Sequence, residues 1–181
     1  MFDERDMVRL ALKGDLRAFE LLVKQYEQLV FYIVNKLVEN KSDTEDIAQE
    51  VFIKVYNGLE KFTFQSKLST WIASIAYHTA LNYVRDHKKH TLNGLSEMPE
   101  DVCFTTETPA DLSEQRDSIR YVHALIETMP LAYKSVLVLY HFNEMSYEEI
   151  GQITGLPEGT VKNYLFRARK ILKDKLKSCL K

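Results

Sequence analysis

The sequence predicts an all-α protein in which two helical domains are joined by a flexible acidic linker. Apolar residues recur three and four positions apart along most of the chain, which is the period of helices that bury one face. That period stops over residues 92–117, where seven acidic residues stand against a single arginine and little can be buried. A helix-turn-helix pattern follows. We therefore expect a first domain at 1–91, the linker at 92–117 and a second domain at 118–181.

The helices of the first domain are predicted from their start signals. Asp15 follows a glycine and is expected to cap a long helix, because its carboxylate can accept the first free N–H groups. Ser42 and Glu45 have the spacing of a capping box, which is expected to start a second helix. A third helix is expected to begin at Ser69. Residues 61–67 before it have no helical period and are expected to form a loop.

The second domain is expected to contain a helix-turn-helix, preceded by helices within 119–142. Ser146 and Glu149 again have the spacing of a capping box. Gly155 can end the first helix of the pair, because glycine adopts a positive φ without strain. Pro157 suits the first turn of the next helix, where its missing N–H would be unpaired anyway. The apolar residues expected to hold the two helices together are Ile150, Ile153, Leu156, Val161 and Leu165.

The last helix is strongly basic although the whole chain, with 24 Lys/Arg and 26 Asp/Glu, is nearly neutral. Residues 162–181 carry eight basic residues and one acidic residue. Lysine and arginine neutralise phosphates, and arginine also pairs with guanine edges in the major groove. A solvated helix end would attract cations too, but the helix-turn-helix favours DNA binding. The candidate DNA-binding residues are Gly159, Thr160, Lys162, Asn163, Phe166, Arg167, Arg169, Lys170 and Lys173.

Two further groups of residues are candidate surfaces. A polar face of the second helix has members three and four residues apart, although an ordinary solvent face explains the spacing better when it is taken alone. Aromatic and basic residues also cluster around the expected loop and the helix after it, where rings could stack on unpaired bases and cations could follow the backbone. Core packing is the commoner fate of such aromatics. The first group is Asp43, Asp46, Gln49, Glu50 and Lys54, and the second includes Phe62, Phe64, Lys67, Trp71, His78, Asn82 and Arg85.

The sequence has no pattern that predicts enzyme chemistry. It lacks a glycine-rich phosphate loop, an HExxH motif and a recognised Ser/Cys-His-Asp grouping, so no catalytic site, metal or cofactor is expected. Cys103 and Cys179 are isolated and form no CxxC pair. The N-terminus is charged, and the longest apolar run, Leu29–Val34, is far too short to span a bilayer. We expect a cytoplasmic protein without membrane insertion.

Three runs of residues, in this order along the chain, match one known family. They are Asp43–Tyr56, Trp71–Ala76 and Gly159–Arg169. Together with Phe62 and Arg85 they resemble bacterial sigma-70-type factors, with the closest likeness to the short extracytoplasmic-function (ECF) group, which keeps only sigma domains 2 and 4. The resemblance covers roughly 15–90 and 119–177 of this chain.

The resemblance implies a role for each surface. The polar face of the second helix would dock on the clamp helices of the largest catalytic subunit of RNA polymerase. The loop would capture a base flipped from the non-template strand of the −10 element, and the helix after it would contact neighbouring positions. The basic last helix would read the −35 element. The residues that this adds to the −10 surface are Thr63, Gln65 and Ser66.

The partners implied by the resemblance are core RNA polymerase, promoter DNA and, by the usual regulatory logic of the family, an anti-sigma factor that is often membrane-anchored. Two alternatives remain. A stand-alone helix-turn-helix regulator would bind a palindromic operator without polymerase. A pure interaction module would show no DNA dependence, and the basic last helix speaks against it. Under the first alternative, the polar face and the aromatic loop have no assigned role.

Overall fold

The structure, a computed structural model, describes residues 3–38, 40–91 and 116–179, and the regular secondary structure within them is entirely helical. The prediction of an all-α fold is therefore confirmed. The expected acidic linker lies outside the described residues, except that Arg116 and Asp117 already belong to a helix. The helices are α1 (Glu4–Leu12), α2 (Leu16–Leu37), α3 (Lys41–Gly58), α4 (Leu68–Thr91), α5 (Arg116–Glu127), α6 (Leu131–His141), α7 (Tyr147–Thr154) and α8 (Glu158–Cys179), with a 3₁₀ turn at Leu59–Lys61.

The helix starts in the first domain agree with the sequence at α2 and differ by one or two residues elsewhere. Asp15 caps α2, and its carboxylate accepts the Arg17 N–H at 2.9 Å. α3 is capped by Asn40, whose side-chain oxygen accepts the Ser42 N–H at 3.2 Å, so the expected Ser42–Glu45 capping box does not form. Asparagine two residues earlier supplies the same acceptor and starts the helix sooner. The expected cap at Ser69 is also wrong, because α4 already begins at Leu68.

The helix-turn-helix follows the sequence prediction closely. The Ser146 hydroxyl accepts the Glu149 N–H at 3.2 Å, and the Glu149 carboxylate accepts the Ser146 N–H at 2.9 Å, so the capping box is complete. Gly155 ends α7 with a φ of +75°. Pro157 lies just before α8, and its carbonyl accepts the Val161 N–H at 3.1 Å. Val161 is fully buried in the core, together with Ile150, Ile153 and Leu165.

The two expected domains pack directly against each other. α6 and α7 bury residues in the same apolar core as α2, α3 and α4, and the rings of Tyr32 on α2 and Phe142 at the end of α6 lie 5.2 Å apart. The sequence predicts two domains and a linker but not how the domains are arranged relative to each other. α6 buries six consecutive residues, 134–139. A helix that is buried on all sides needs neighbours on all sides, and α2 and α8 both contact α6.

α1 is a helix that the sequence analysis did not identify. It buries Met7, Val8 and Ala11. Polar contacts also join it to α2, because the carboxylate of Glu4 accepts the Tyr26 hydroxyl at 2.5 Å and the Gln25 amide at 3.1 Å. None of the helices that the structure describes is both long and apolar enough to cross a membrane.

Candidate functional site

The exposed side of α8 carries the candidate DNA-binding residues. Val161, Leu165 and Ala168 recur at helical spacing and are at most 1 % exposed, which fixes the opposite side of α8 toward solvent. Phe166 lies on that opposite side and is 67 % exposed. Thr160 is half-buried, and the remaining candidates, Gly159, Lys162, Asn163, Arg167, Arg169, Lys170 and Lys173, are exposed.

Several cations of α8 are held in place by neighbouring side chains. The Arg167 guanidinium donates to the Tyr133 hydroxyl at 3.3 Å. The Arg169 guanidinium contacts His141 Nε2 at 3.2 Å, and partial burial together with the Arg169 charge lowers the pKa of His141. Lys162 pairs with Glu158, one helical turn earlier, at 2.7 Å. These contacts limit the rotamers of the cations without covering them.

α3 presents a charged face with an apolar centre. Asp46, Gln49 and Glu50 are exposed, as the spacing predicted. Ile53 lies on the same side and is 61 % exposed. Lys54 pairs with Glu50 at 2.7 Å. α3 thus presents one exposed apolar side chain among charged and amide groups.

Asp43, the first member of the expected α3 group, has a structural contact as well. It is half-buried, and its carboxylate accepts the hydroxyl of Tyr83 on α4. The hydrogen bond from Tyr83 lowers the pKa of Asp43, and the same bond together with partial burial raises the pKa of Tyr83 to about 12. Asp43 therefore joins α3 to α4 and is less free to meet a partner than Asp46 or Glu50.

The loop at 62–67 separates its two phenylalanines. Phe62 is only 8 % exposed and packs against Trp71, with ring centroids 5.0 Å apart. Phe64 is 37 % exposed, and its ring lies 4.6 Å from that of Phe62. Phe62 and the half-buried Trp71 thus support the loop, whereas Phe64 faces outward from it. Of the other loop residues expected to bind DNA, Thr63, Gln65 and Lys67 are exposed and Ser66 is half-buried.

A polar stripe on α4 continues from this loop. His78, Asn82 and Arg85 are all exposed and follow one another at helical spacing, as expected. Tyr77 beside them is buried, and this burial raises the pKa of its hydroxyl. The stripe and the loop together form a surface with an exposed ring, amides and cations, groups that can stack on bases and pair with phosphates.

Glu149 connects the helix-turn-helix to this loop. Its carboxylate pairs with the Lys67 ammonium at 3.0 Å and accepts the Thr70 hydroxyl at 3.2 Å. Partial burial would raise the pKa of Glu149, but hydrogen bonds from Ser146 and Lys67 and the Lys67 charge outweigh it and lower the pKa to about 2. The spacing of residues in the sequence predicts only the capping role of Glu149. No local pattern indicates a partner eighty residues away.

A second polar cluster also joins the two halves of the chain. Lys36 on α2 pairs with Glu127 on α5 at 3.3 Å, and the Lys36 ammonium lies 3.4 Å from His123 Nδ1. Glu127 also pairs with the buried Lys134. Within the described ranges, no group of three or more His, Cys, Asp or Glu residues could hold a metal ion.

Comparisons with known proteins extend over nearly the whole chain. Residues 22–90 match the family described as Sigma-70 region 2, and residues 119–172 match Sigma-70, region 4. The ECF RNA polymerase sigma-E factor of Haemophilus influenzae is 32 % identical over 96 % of this chain and 95 % of its own length. The RNA polymerase sigma-H factor of Pseudomonas aeruginosa is 31 % identical over 98 % of this chain and 96 % of its own length.

Two solved structures have a similar fold. CnrH, in complex with the cytosolic domain of CnrY, gives a TM-score of 0.71 at 19 % identity and covers 97 % of both chains. The sigma factor RpoE of Bartonella quintana, in complex with the anti-sigma factor NepR, gives a TM-score of 0.67 at 19 % identity and covers 88 % of this chain and 96 % of its own. At this level of identity, the likeness concerns the arrangement of helices.

Proposed function

Because the chain belongs to the sigma-70 family, in its extracytoplasmic-function group of RNA polymerase sigma factors, we propose specific tasks for its exposed surfaces. The chain directs RNA polymerase to promoters for transcription initiation. The observation that carries the residue assignments is the simultaneous exposure of three surfaces, on α3, on the 62–67 loop with α4, and on α8. Each surface has chemistry suited to a different partner.

The α3 face is proposed to bind core RNA polymerase. Asp46, Gln49 and Glu50 are exposed, and Ile53 offers apolar area at the centre of their face. A small apolar centre surrounded by charges is how many protein interfaces combine affinity with orientation. Asp43 and Lys54 complete the face, with Asp43 acting also as its link to α4.

The 62–67 loop and the α4 stripe are proposed to bind the −10 element as a single strand. Phe64 offers its ring to an unstacked base, and His78, Asn82 and Arg85 offer donors along the path of the strand. Unstacking a base costs a few kcal/mol, and base–aromatic stacking returns about 1–3 kcal/mol per base. Binding at this surface therefore favours strand separation. Phe62 supports the loop from its buried side by packing against Trp71.

The outer side of α8 is proposed to read the −35 element as duplex. Residues at the start of the helix, Gly159 to Asn163, would contact base edges, and the later cations Arg169, Lys170 and Lys173 would contact phosphates. Specificity then depends on both promoter elements being bound at once, with the chain between the domains setting the effective concentration of the second site.

Three further statements follow from this assignment. The protein acts by binding and not as an enzyme, and it needs no cofactor. It works in the cytoplasm, where core polymerase and promoter DNA are found. It is controlled by a protein partner of the anti-sigma kind, since similar folds occur in complexes with NepR and CnrY. A membrane-anchored partner could bind this chain without the chain itself entering the membrane.

The test is transcription with purified components. Core polymerase from the same bacterium, mixed with the purified chain and fragments of that genome, should start transcripts at promoters that core alone ignores. Folded protein that does not bind core polymerase would overturn the proposal. Tight operator binding in the absence of polymerase would instead support a stand-alone regulator.

A further inference from the structure

Arg5 on α1 is placed against the loop that is proposed to receive the −10 base. Its guanidinium carbon lies 5.3 Å from the centroid of the Phe64 ring, a distance at which a cation is attracted to the face of an aromatic ring. α1 lies outside residues 22–90, the part of the chain that matches region 2. No role follows for Arg5 from that match.

α1 is fixed firmly enough to position Arg5. Met7, Val8 and Ala11 are buried on one side of the helix. Glu4, the residue before Arg5, accepts hydrogen bonds from Tyr26 at 2.5 Å and from Gln25 at 3.1 Å. The contact between Arg5 and Phe64 therefore joins two anchored segments and is not a chance meeting of a free chain end with a loop.

Phe64 needs neighbours to keep its backbone conformation. Its φ is +57°, in the left-handed region that bulky residues rarely adopt because Cβ approaches the following carbonyl. Such conformations persist only where surrounding contacts enforce them, and they concentrate at binding sites. Two neighbours contact the Phe64 ring in this way: Phe62, at a centroid distance of 4.6 Å, and the Arg5 guanidinium.

We infer that Arg5 is a positioning residue for −10 recognition, which holds the exposed Phe64 ring where an unstacked base can stack on it. This inference rests on the proposed function of the loop. Without Arg5, Phe64 would relax toward ordinary negative φ values, and the ring would leave the outer side of the loop in part of the population. Capture of the base would then require reordering the loop, and the affinity for single-stranded DNA would fall.

The experiment is a double-mutant cycle on the full chain. The probe is a fluorescein-labelled, single-stranded non-template oligonucleotide spanning the −10 region of a promoter that the reconstituted holoenzyme transcribes. Its dissociation constant is measured by anisotropy for wild type, Arg5→Ala, Phe64→Leu and the double variant. Arg9→Ala is the matched control, because Arg9 lies on the same helix and pairs with the exposed Asp6 at 3.1 Å.

We expect Arg5→Ala to weaken binding about two- to fivefold, which corresponds to a cation–π contact at an exposed site. The double variant should bind no worse than Phe64→Leu alone, because Arg5 acts through the ring. Arg5→Lys, which keeps the charge, should recover part of the loss. Arg9→Ala should bind as wild type does, and core-polymerase binding should be unchanged in all the Arg5 variants.

Three outcomes would overturn the inference. One is unchanged affinity of Arg5→Ala. Another is an equal loss from Arg5→Ala in the wild-type and Phe64→Leu backgrounds. The third is a slope of log binding constant against log salt concentration that is shallower by about 0.7 in Arg5→Ala than in wild type. Such a change would indicate that Arg5 contacts a phosphate directly. Failure of the wild-type chain itself to bind the oligonucleotide would instead refute the proposed role of the loop.

Discussion

Replacing Glu149 by glutamine should destabilise the protein, and the structure sets the size of the effect. The carboxyl pKa falls from an ordinary value of 4.5 to about 2. At 1.36 kcal/mol per pKa unit, the charged form contributes about 3 kcal/mol to the free energy of unfolding. Glutamine keeps an oxygen that can still accept the Ser146 N–H, so we expect Glu149→Gln to lose about 2 kcal/mol at pH 7.

The contribution of Lys67 to this effect should be small. The Lys67 side chain is 74 % exposed, although its ammonium lies 3.0 Å from the Glu149 carboxylate. Ion pairs with so much solvent contact are worth about 0–1 kcal/mol. We therefore expect Lys67→Met to cost less than about 1 kcal/mol, well below Glu149→Gln. The capping box, and not the contact between the domains, should dominate the stability.

Urea unfolding followed by circular dichroism at several pH values checks both parts. Because the folded-state pKa of Glu149 is lowered, its contribution is complete above pH 4.5, shrinks as the pH falls below that value and is lost near pH 2. The difference in free energy of unfolding between wild type and Glu149→Gln should therefore fall at pH 3 to about half of its pH 7 value or less. Equal losses from Glu149→Gln and Lys67→Met, or a difference that stays constant between pH 7 and pH 3, would refute this reasoning.

Three other substitutions test the exposed surfaces and the turn. Glu50→Lys should abolish binding to core polymerase in a pull-down while leaving the urea midpoint unchanged. The control is Glu20→Lys, since Glu20 forms a similar exposed pair with Lys24 at 2.8 Å. Equal core binding by both variants would show that the α3 face does not bind core polymerase. Arg167→Ala should weaken −35 duplex binding and reduce its salt slope by about one, measured by anisotropy over a salt series, and an unaltered slope would argue against a phosphate contact. Gly155→Ala should lower the free energy of unfolding by about 1–2 kcal/mol, because alanine is strained at the Gly155 φ of +75°. The loss would come from this backbone strain alone, since an added Cβ would meet no atom within 4 Å. A change below about 0.5 kcal/mol in urea unfolding would contradict the strain argument.

The elements that could be predicted from the sequence are those with local signals. The capping box of Ser146 and Glu149 and the positive φ of Gly155 follow from residue types at fixed spacing. The start of α3 was placed wrongly because two acceptors, Asn40 and Ser42, compete two residues apart, and only geometry decides between them. α1 was missed because it has only nine residues, too few for a helical period to repeat.

The candidate surfaces were predicted in part. Spacing on α3 correctly placed Asp46 and Glu50 in solvent, because helical period determines which residues share a side. Spacing could not separate Phe62 from Phe64, since the loop between two helices has no period and its backbone turns one ring inward and the other outward. The contact of Lys67 with Glu149 depends on how two helical units pack, and short-range patterns carry no information about it.

In the free chain, the Glu149 carboxylate occupies Lys67, a residue of the proposed −10 surface. A DNA phosphate that approaches Lys67 must displace a carboxylate that is already held 3.0 Å away on the same polypeptide. Because so exposed an ion pair is worth only about 0–1 kcal/mol, this competition would reduce the contribution of Lys67 to binding at the proposed −10 surface by no more than that amount.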